Sequence, residues 1–231
     1  MGLILACTRT RLQRYDVDMN QRASKRSVSR IVLVTILVLA LIVLAVVAIV
    51  LIPILTHQSA GGSGQEIPSD FVSESSATGA DGRTRSLTVE TADGTPANLA
   101  ELKSGEELIV SGTGFDSSIG IYVSICAIPE QAGMKPSPCL GGIPEGAQEG
   151  DAANQEGLSS AWVTDDWAWR AFASHTYDDA ETGSFTVQLT VPPAAGEGLD
   201  CTVERCALVT RADHTAANDR VQDMLLPVAY E

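Results

Sequence analysis

The amino-acid sequence predicts an all-β domain, an antiparallel sandwich, preceded by one transmembrane helix. Three observations carry this prediction. Residues 31–55 form an uncharged apolar run, several short stretches after residue 85 alternate apolar with polar residues, and four cysteines all follow the apolar run. Alternation with a period of two is typical of β-strands that bury one face.

The first 30 residues form a basic tail that we expect to lie in the cytoplasm. They carry a net charge of +5, whereas residues 31–231 carry −19. Because basic residues before an apolar span favour the cytoplasmic side, this asymmetry orients the chain with its N-terminus inside. The acidic remainder would repel phosphate backbones, so we expect no nucleic acid partner. Met19 offers a second start of translation.

The apolar run at residues 31–55 predicts a transmembrane signal anchor in the plasma membrane. Its 25 residues contain Thr35 as their one clearly polar side chain. A helix of this length is about 37 Å long, more than the ~30 Å hydrocarbon core of a bilayer. A cleaved signal peptide is the alternative, but the run exceeds the usual apolar segment of about 7–15 residues and lacks a convincing cleavage site. We therefore expect residues 56–231 to lie outside the cell.

Residues 56–84 predict a flexible stalk. The segment is rich in Gly, Ser, Ala and acidic residues, including the run Gly61–Gly64, and holds few large apolar side chains. Such compositions favour disordered linkers.

Residues 85–231 predict the extracytoplasmic domain, with an insertion at about 140–182. Period-two runs separated by Gly, Asp and Pro turns, without a long helical pattern, favour an antiparallel sandwich. The runs are Ser86–Glu90, Glu106–Val110, Ile119–Cys126, Ser184–Val191, Cys206–Thr210 and Met224–Tyr230.

The cysteines agree with this topology. Cys7 lies on the reducing side of the membrane, and the other four, Cys126, Cys139, Cys201 and Cys206, lie on the oxidising side. Four cysteines allow three connectivities, of which proximity in sequence favours Cys126–Cys139 and Cys201–Cys206. Neither pair has the spacing of a zinc site, so we predict no metal.

Several motifs together resemble the neocarzinostatin-like family. They are Lys103–Gly105, Val110–Phe115, Tyr122–Cys126, Gly183–Val191, Asp200–Thr202 and Cys206. The resemblance implies a seven-stranded antiparallel immunoglobulin-like sandwich with the two short disulfides. The stretch Cys206–Tyr230 also looks like immunoglobulin-like modules of actinobacterial cell-surface proteins.

In the neocarzinostatin-like family the sandwich carries a small apolar chromophore in a cleft. This sequence departs from that pattern because it is tethered to a membrane and because its segment at residues 140–182 is much longer. A shared fold does not imply a shared ligand, so the resemblance does not support chromophore transport by this chain.

Catalytic motifs are absent from the sequence. No nucleophile elbow, phosphate-binding loop, dinucleotide fingerprint or zinc-protease motif is present. His214 lies in a polar run that predicts a solvated turn between the last two strands, and the pairs Asp165–Asp166 and Asp178–Asp179 read as surface charge. We therefore expect a protein that is not an enzyme and that uses no cofactor.

Three tryptophans, Trp162, Trp167 and Trp169, lie close together in the insertion. One interpretation is that Trp162 and Trp169 fill the core or cap an open end of the sandwich, with Trp167 half exposed. The other is a contact surface for a ligand or partner, since aromatic rings dominate binding hot spots.

The sequence thus predicts a membrane-anchored, non-catalytic binding or display module of the bacterial cell envelope. Its partner would be an unknown envelope component or a small apolar ligand. Two alternatives remain: a carrier that holds an apolar ligand, such as haem or an antibiotic-like chromophore, in the sandwich cleft, and an envelope hydrolase with an unrecognised site.

Overall fold

A computed structural model describes residues 4–131, 133–141 and 157–231, with side chains from residue 30 onward. The chain divides into two compact units, Met1–Pro53 and Ile54–Glu231.

The N-terminal helix, α1, runs from Ile4 to Thr56. Within it, Arg30–Thr56 has a mean hydropathy of 3.5, and the side chains of its most apolar window are not buried against the rest of the chain. Leu, Ile and Val surround this part of the helix on all sides, so it has no polar face to turn toward water. The hydroxyl of Thr35 donates a hydrogen bond to the carbonyl of Ile31 at 2.9 Å. One apolar helix of membrane-spanning length is therefore present where the sequence predicts it.

The remainder of the described chain is built from antiparallel sheets. The strands are β1 (Glu74–Thr78), β2 (Thr84–Thr91), β3 (Glu107–Thr113), β4 (Ile121–Ala127), β5 (Ser160–Val163), β6 (Phe185–Thr190), β7 (Ala195–Gly196), β8 (Leu199–Asp200), β9 (Cys206–Ala212) and β10 (Met224–Val228). The first sheet has the order β1-β2-β3-β6 and the second has the order β10-β9-β4-β5, while β7 and β8 form a two-stranded ribbon.

The prediction of an all-β domain is confirmed, but the strand count differs from the seven that the family resemblance implies. In the described residues, eight strands form the two larger sheets. The six runs predicted from alternation all form strands, and the two additional strands are β1, in the predicted stalk, and β5, in the insertion. Both are edge strands, with only one neighbouring strand each.

One hydrophobic core lies between the two sheets. Alternate residues of β2, β3 and β6 are buried, and they form a single cluster with Ile121, Val123, Ile125 and Ala127 of β4. In β4, Ser124 and Cys126 are also buried, on the other face of the sheet. Phe115 and Phe185 meet edge to face in this core, with ring centroids 5.1 Å apart. Because one side of each sheet faces the core, the residues between the buried ones face outward.

The prediction of a flexible stalk at residues 56–84 is wrong. Gln65 donates to the carbonyl of Leu225 at 2.9 Å and accepts from the amide of Leu225 at 2.7 Å. Further along the segment, β1 pairs with β2 over its whole length. The composition does not predict this ordered structure, because the segment binds the domain through hydrogen bonds and strand pairing, which need few apolar side chains.

The two disulfides form between near neighbours in sequence. Cys126 in β4 is bonded to Cys139, and Cys201 is bonded to Cys206 at the start of β9. The first bridge ties the loop after β4 onto the outer face of the second sheet, where Cys126 packs with Val209 and Leu225.

Candidate functional site

The described part of the insertion adds β5 to the edge of the second sheet and then forms a loop, residues 164–175. Ser174 closes the base of this loop: its hydroxyl accepts from the amide of Trp162 at 2.8 Å and donates to the carbonyl of Trp162 at 3.1 Å. His175 adds a backbone bond to the same carbonyl at 2.9 Å. The loop is therefore fixed at both ends.

Four rings gather on the outer face of the second sheet. We call this group the ring cluster: Tyr122 of β4, Trp162 of β5, Trp169 of the insertion loop, and His214 of the turn between β9 and β10. Tyr122 and Trp162 are paired residues of adjacent strands, and their ring centroids lie 5.9 Å apart. His214 lies edge-on to Trp169 at 4.7 Å and to Trp162 at 5.2 Å.

The position of the ring cluster follows from strand alternation. Ile121 and Val123 of β4, and Ala161 and Val163 of β5, belong to the core. Tyr122 and Trp162 lie between these residues and so point to the opposite side of the sheet. Both are half-buried, as is Trp169, while His214 is exposed.

A buried carboxylate fixes the orientation of Trp162. The indole Nε1 donates to Oδ2 of Asp213 at 2.9 Å, and Asp213 is fully buried. Oδ1 of Asp213 accepts from the backbone amide of Thr215 at 2.8 Å. Gly120 lies against the same carboxylate, where a Cβ atom would stand 2.1 Å from Oδ2. A side chain at position 120 would therefore push the carboxylate away from the indole.

Two polar groups lie at the ring cluster: the cation of Arg211 and the neutral phenol of Tyr122. The guanidinium of Arg211 lies over the Tyr122 ring, 5.8 Å from its centroid, and Nη1 donates to the carbonyl of Pro136 at 2.9 Å. Burial, together with the charge of Asp213, raises the pKa of Tyr122 to about 12. The phenol thus stays protonated and shares a hydrogen bond of 3.0 Å with Nδ1 of His214.

A group of charged side chains lies beside Arg211. Asp223 pairs with Arg220 at 3.0 Å, and both are buried. Burial raises the pKa of Asp223 to about 7, although Arg220 opposes the shift. Lys135 lies near both arginines, and burial followed by their charges lowers its pKa.

The insertion loop also presents aromatic side chains to solvent. Trp167 is 64% exposed and Phe172 is 60% exposed. Asp166 stiffens this part of the loop, since its side chain accepts from the amide of Ala168 at 2.7 Å and its carbonyl accepts from the amide of Arg170 at 2.8 Å. We call residues 165–172 the aromatic tip.

The structure separates the three tryptophans that the sequence singles out. Trp162 and Trp169 join the ring cluster, whereas Trp167 points into solvent. None of the three belongs to the buried core, so the interpretation that Trp162 or Trp169 fills the core is wrong. Tyr122 and His214 also belong to the ring cluster, although no sequence motif predicts their place there. The alternation of β4 already places Tyr122 on the outer side, but nothing local in the sequence brings His214 to it.

Other titratable side chains of the insertion have structural partners. His175 is half-buried, and burial lowers its pKa. Asp165 accepts from the amide of Tyr177, and Asp179 accepts from the amide of Glu181. Among the residues that the structure describes, no group of three or more His, Cys, Asp or Glu side chains has the geometry to hold a metal ion.

No protein-family model matches the chain. Among curated proteins, it is similar to "Thiamine biosynthesis protein X" of Corynebacterium glutamicum, with 29% identity over 116 residues. The match covers 50% of this chain and 52% of that protein, so the chain spans about half the length of its relative.

Among solved structures, the chain is similar to macromomycin, with 16% identity and a TM-score of 0.33. The match covers 63% of this chain and 99% of macromomycin. At this TM-score the likeness carries no argument, and the fold rests on the sheet topology above.

Proposed function

We propose that this protein is a membrane-anchored, non-catalytic binding module of the bacterial cell envelope. In this proposal Arg30–Thr56 crosses the plasma membrane, the basic tail lies in the cytoplasm, and the β domain lies outside. The basic residues before the apolar span support this orientation. The two disulfides also support it, since such bonds persist in oxidising compartments.

The observation that carries the proposal is the ring cluster. Its four rings stand on the outer face of a sheet whose core is complete without them, and a buried carboxylate holds Trp162 in place. Aromatic rings that are fixed before binding offer a large contact area at little entropic cost. Ordered, half-exposed rings are therefore suited to stack against a flat or apolar group of a ligand.

Site-specific photo-crosslinking in native cells tests this proposal. The full chain would carry a photoreactive phenylalanine analogue in place of Trp169 and, as a control, in place of Val203, which is 81% exposed and lies outside the cluster. We expect a discrete adduct from position 169 that is absent from position 203 and is lost when Tyr122→Ala is added. Identical adducts from both positions, or none from position 169, would contradict the proposal.

A second candidate is a carrier of a cationic aromatic small molecule such as thiamine. Two observations favour it. One is the similarity to "Thiamine biosynthesis protein X" of Corynebacterium glutamicum. The other is the pair of electron-rich rings, Trp162 and Trp169, of which Trp162 binds the buried carboxylate of Asp213. Aromatic faces attract a cation by about 0.5–2 kcal/mol, more when the site excludes water.

Tryptophan fluorescence tests the carrier directly, because all three tryptophans lie in the insertion. Thiamine would be titrated into the compact unit, residues 54–231, with the neutral pyrimidine thymine as the control. We expect saturable quenching by thiamine alone and its loss in Trp169→Ala. Absence of saturation would contradict the carrier function and leave the crosslinking test of the first proposal unaffected.

A further inference from the structure

The chain leaves the apolar span and joins the β domain without a spacer. The span ends at Thr56, and the next residue, His57, places Nε2 at 3.0 Å from Oδ2 of Asp219. The amide of Ala60 donates to the same carboxylate oxygen at 3.2 Å, and Asp219 is fully buried. The end of the span and the domain belong to one compact unit, Ile54–Glu231.

The turn that receives His57 also supports the aromatic tip. Asp219 follows His214 by five residues, a distance of at most ~18 Å even for extended chain. The ring of Trp169 packs on His214 with centroids 4.7 Å apart. The end of β5 and the end of β9 both pair with the start of β4, so the aromatic tip and the turn that binds His57 leave the second sheet at the same end.

The side chains of the tip suit the boundary between lipid and water. Trp167 and Phe172 are largely exposed, and exposed Arg170 lies between them in sequence. Tryptophan favours the headgroup region of membranes, and arginine extends its charge toward the surface. The two carboxylates of the tip accept hydrogen bonds from the protein: Asp165 from Tyr177 and Asp166 from Ala168.

We propose that the aromatic tip docks into the headgroup region of the bilayer that holds the chain's own apolar span. The span supplies proximity, and the tip adds a second, shallow attachment that fixes the tilt of the domain. The attachment depends on aromatic side chains more than on charge, since the domain as a whole is acidic. This inference rests on the span crossing a membrane, which is part of the proposed function.

Quenching of tryptophan emission by brominated lipids tests the proposal. The full chain would be reconstituted into phosphatidylcholine vesicles that carry bromine either near the headgroup or deep in the acyl chains. Because the chain's three tryptophans are Trp162, Trp167 and Trp169, all emission comes from the insertion. We expect shallow bromines to quench part of the emission and deep bromines to quench less.

The variant Trp167→Phe keeps an aromatic side chain at the tip but removes its fluorophore, and we expect it to lose the quenching. Trp169→Phe is the matched control and should retain it. Extraction at alkaline pH establishes separately whether the span holds the chain in the vesicles.

A chain that stays in the membrane but shows no quenching would overturn the tip's docking and leave the anchor intact. Quenching that is unchanged in Trp167→Phe would likewise overturn the assignment to the tip.

Discussion

Gln65 holds the segment after the apolar helix against the edge of the second sheet, and its removal should release that edge. Its amide makes two hydrogen bonds to the backbone of Leu225 in β10 and a third to the hydroxyl of Ser75 at 2.9 Å. β10 is an edge strand, whose unpaired backbone groups need cover. At about 1 kcal/mol net for each bond to Leu225, Gln65→Ala should lower the local opening free energy by about 2 kcal/mol.

Native-state hydrogen exchange measures this quantity residue by residue. A loss of about 2 kcal/mol corresponds to roughly 30-fold faster exchange of the Leu225 amide if opening is local. Gln58→Ala, which alters an exposed glutamine of the same segment, is the control and should leave this rate unchanged. Exchange at Leu225 that rises less than about threefold in Gln65→Ala would refute the argument that this side chain secures the segment.

Two further predictions concern Trp162 and Asp223, each measured by urea denaturation of residues 54–231. Trp162→Phe leaves Oδ2 of buried Asp213 without its indole donor. Because the hydrogen bond involves a charged acceptor, the free energy of unfolding should fall by about 1.5–3 kcal/mol. Trp167→Phe, at an exposed position, is the control and should change the free energy of unfolding by less than about 0.5 kcal/mol. Equal stability of the two variants would contradict the role assigned to Asp213. Because burial raises the pKa of Asp223 from 3.8 to about 7, the folded state holds a proton that the unfolded state releases between these values. Stability should therefore fall as pH rises from about 4 to about 7, by at most about 4 kcal/mol from this group, and Asp223→Asn should flatten the profile. An equally steep profile in Asp223→Asn would assign the slope to other groups.

The sequence predicts the central strands well because their side chains obey one rule over many residues. In β6, Phe185, Val187 and Leu189 are buried while the residues between them are exposed. The same alternation predicts β2, β3 and β4. The apolar helix is equally predictable, since no other structure accommodates so long an uncharged run.

Edge elements are harder to predict because one neighbouring strand and a few polar contacts are enough to hold them. β1 is a five-residue strand with no fully buried side chain, and its sequence, rich in Ser and Thr, reads equally well as linker. The contact between Gln65 and Leu225 joins residues 160 positions apart. No local pattern reveals such a contact.

The ring cluster illustrates the same limit at the candidate site. Three of its members come from segments far apart in sequence, and Tyr122 and Trp162 become neighbours only through the pairing of β4 with β5. The density of tryptophan in the insertion indicates an aromatic surface there. It could not separate Trp169, which packs on His214, from Trp167, which faces solvent.

The ring cluster and the segment that follows the apolar helix meet at one turn, residues 213–219. His57 and Ala60 bind Asp219 at one end of this turn, and Asp213 orients Trp162 at the other. Both carboxylates are fully buried, so displacing either exposes an unpaired charge within the domain and carries a large cost. Because both contacts are made by the same turn, loosening the turn at one end should also loosen the rings at the other. Binding at the ring cluster should therefore weaken when His57→Ala loosens the segment, even though His57 does not belong to the cluster.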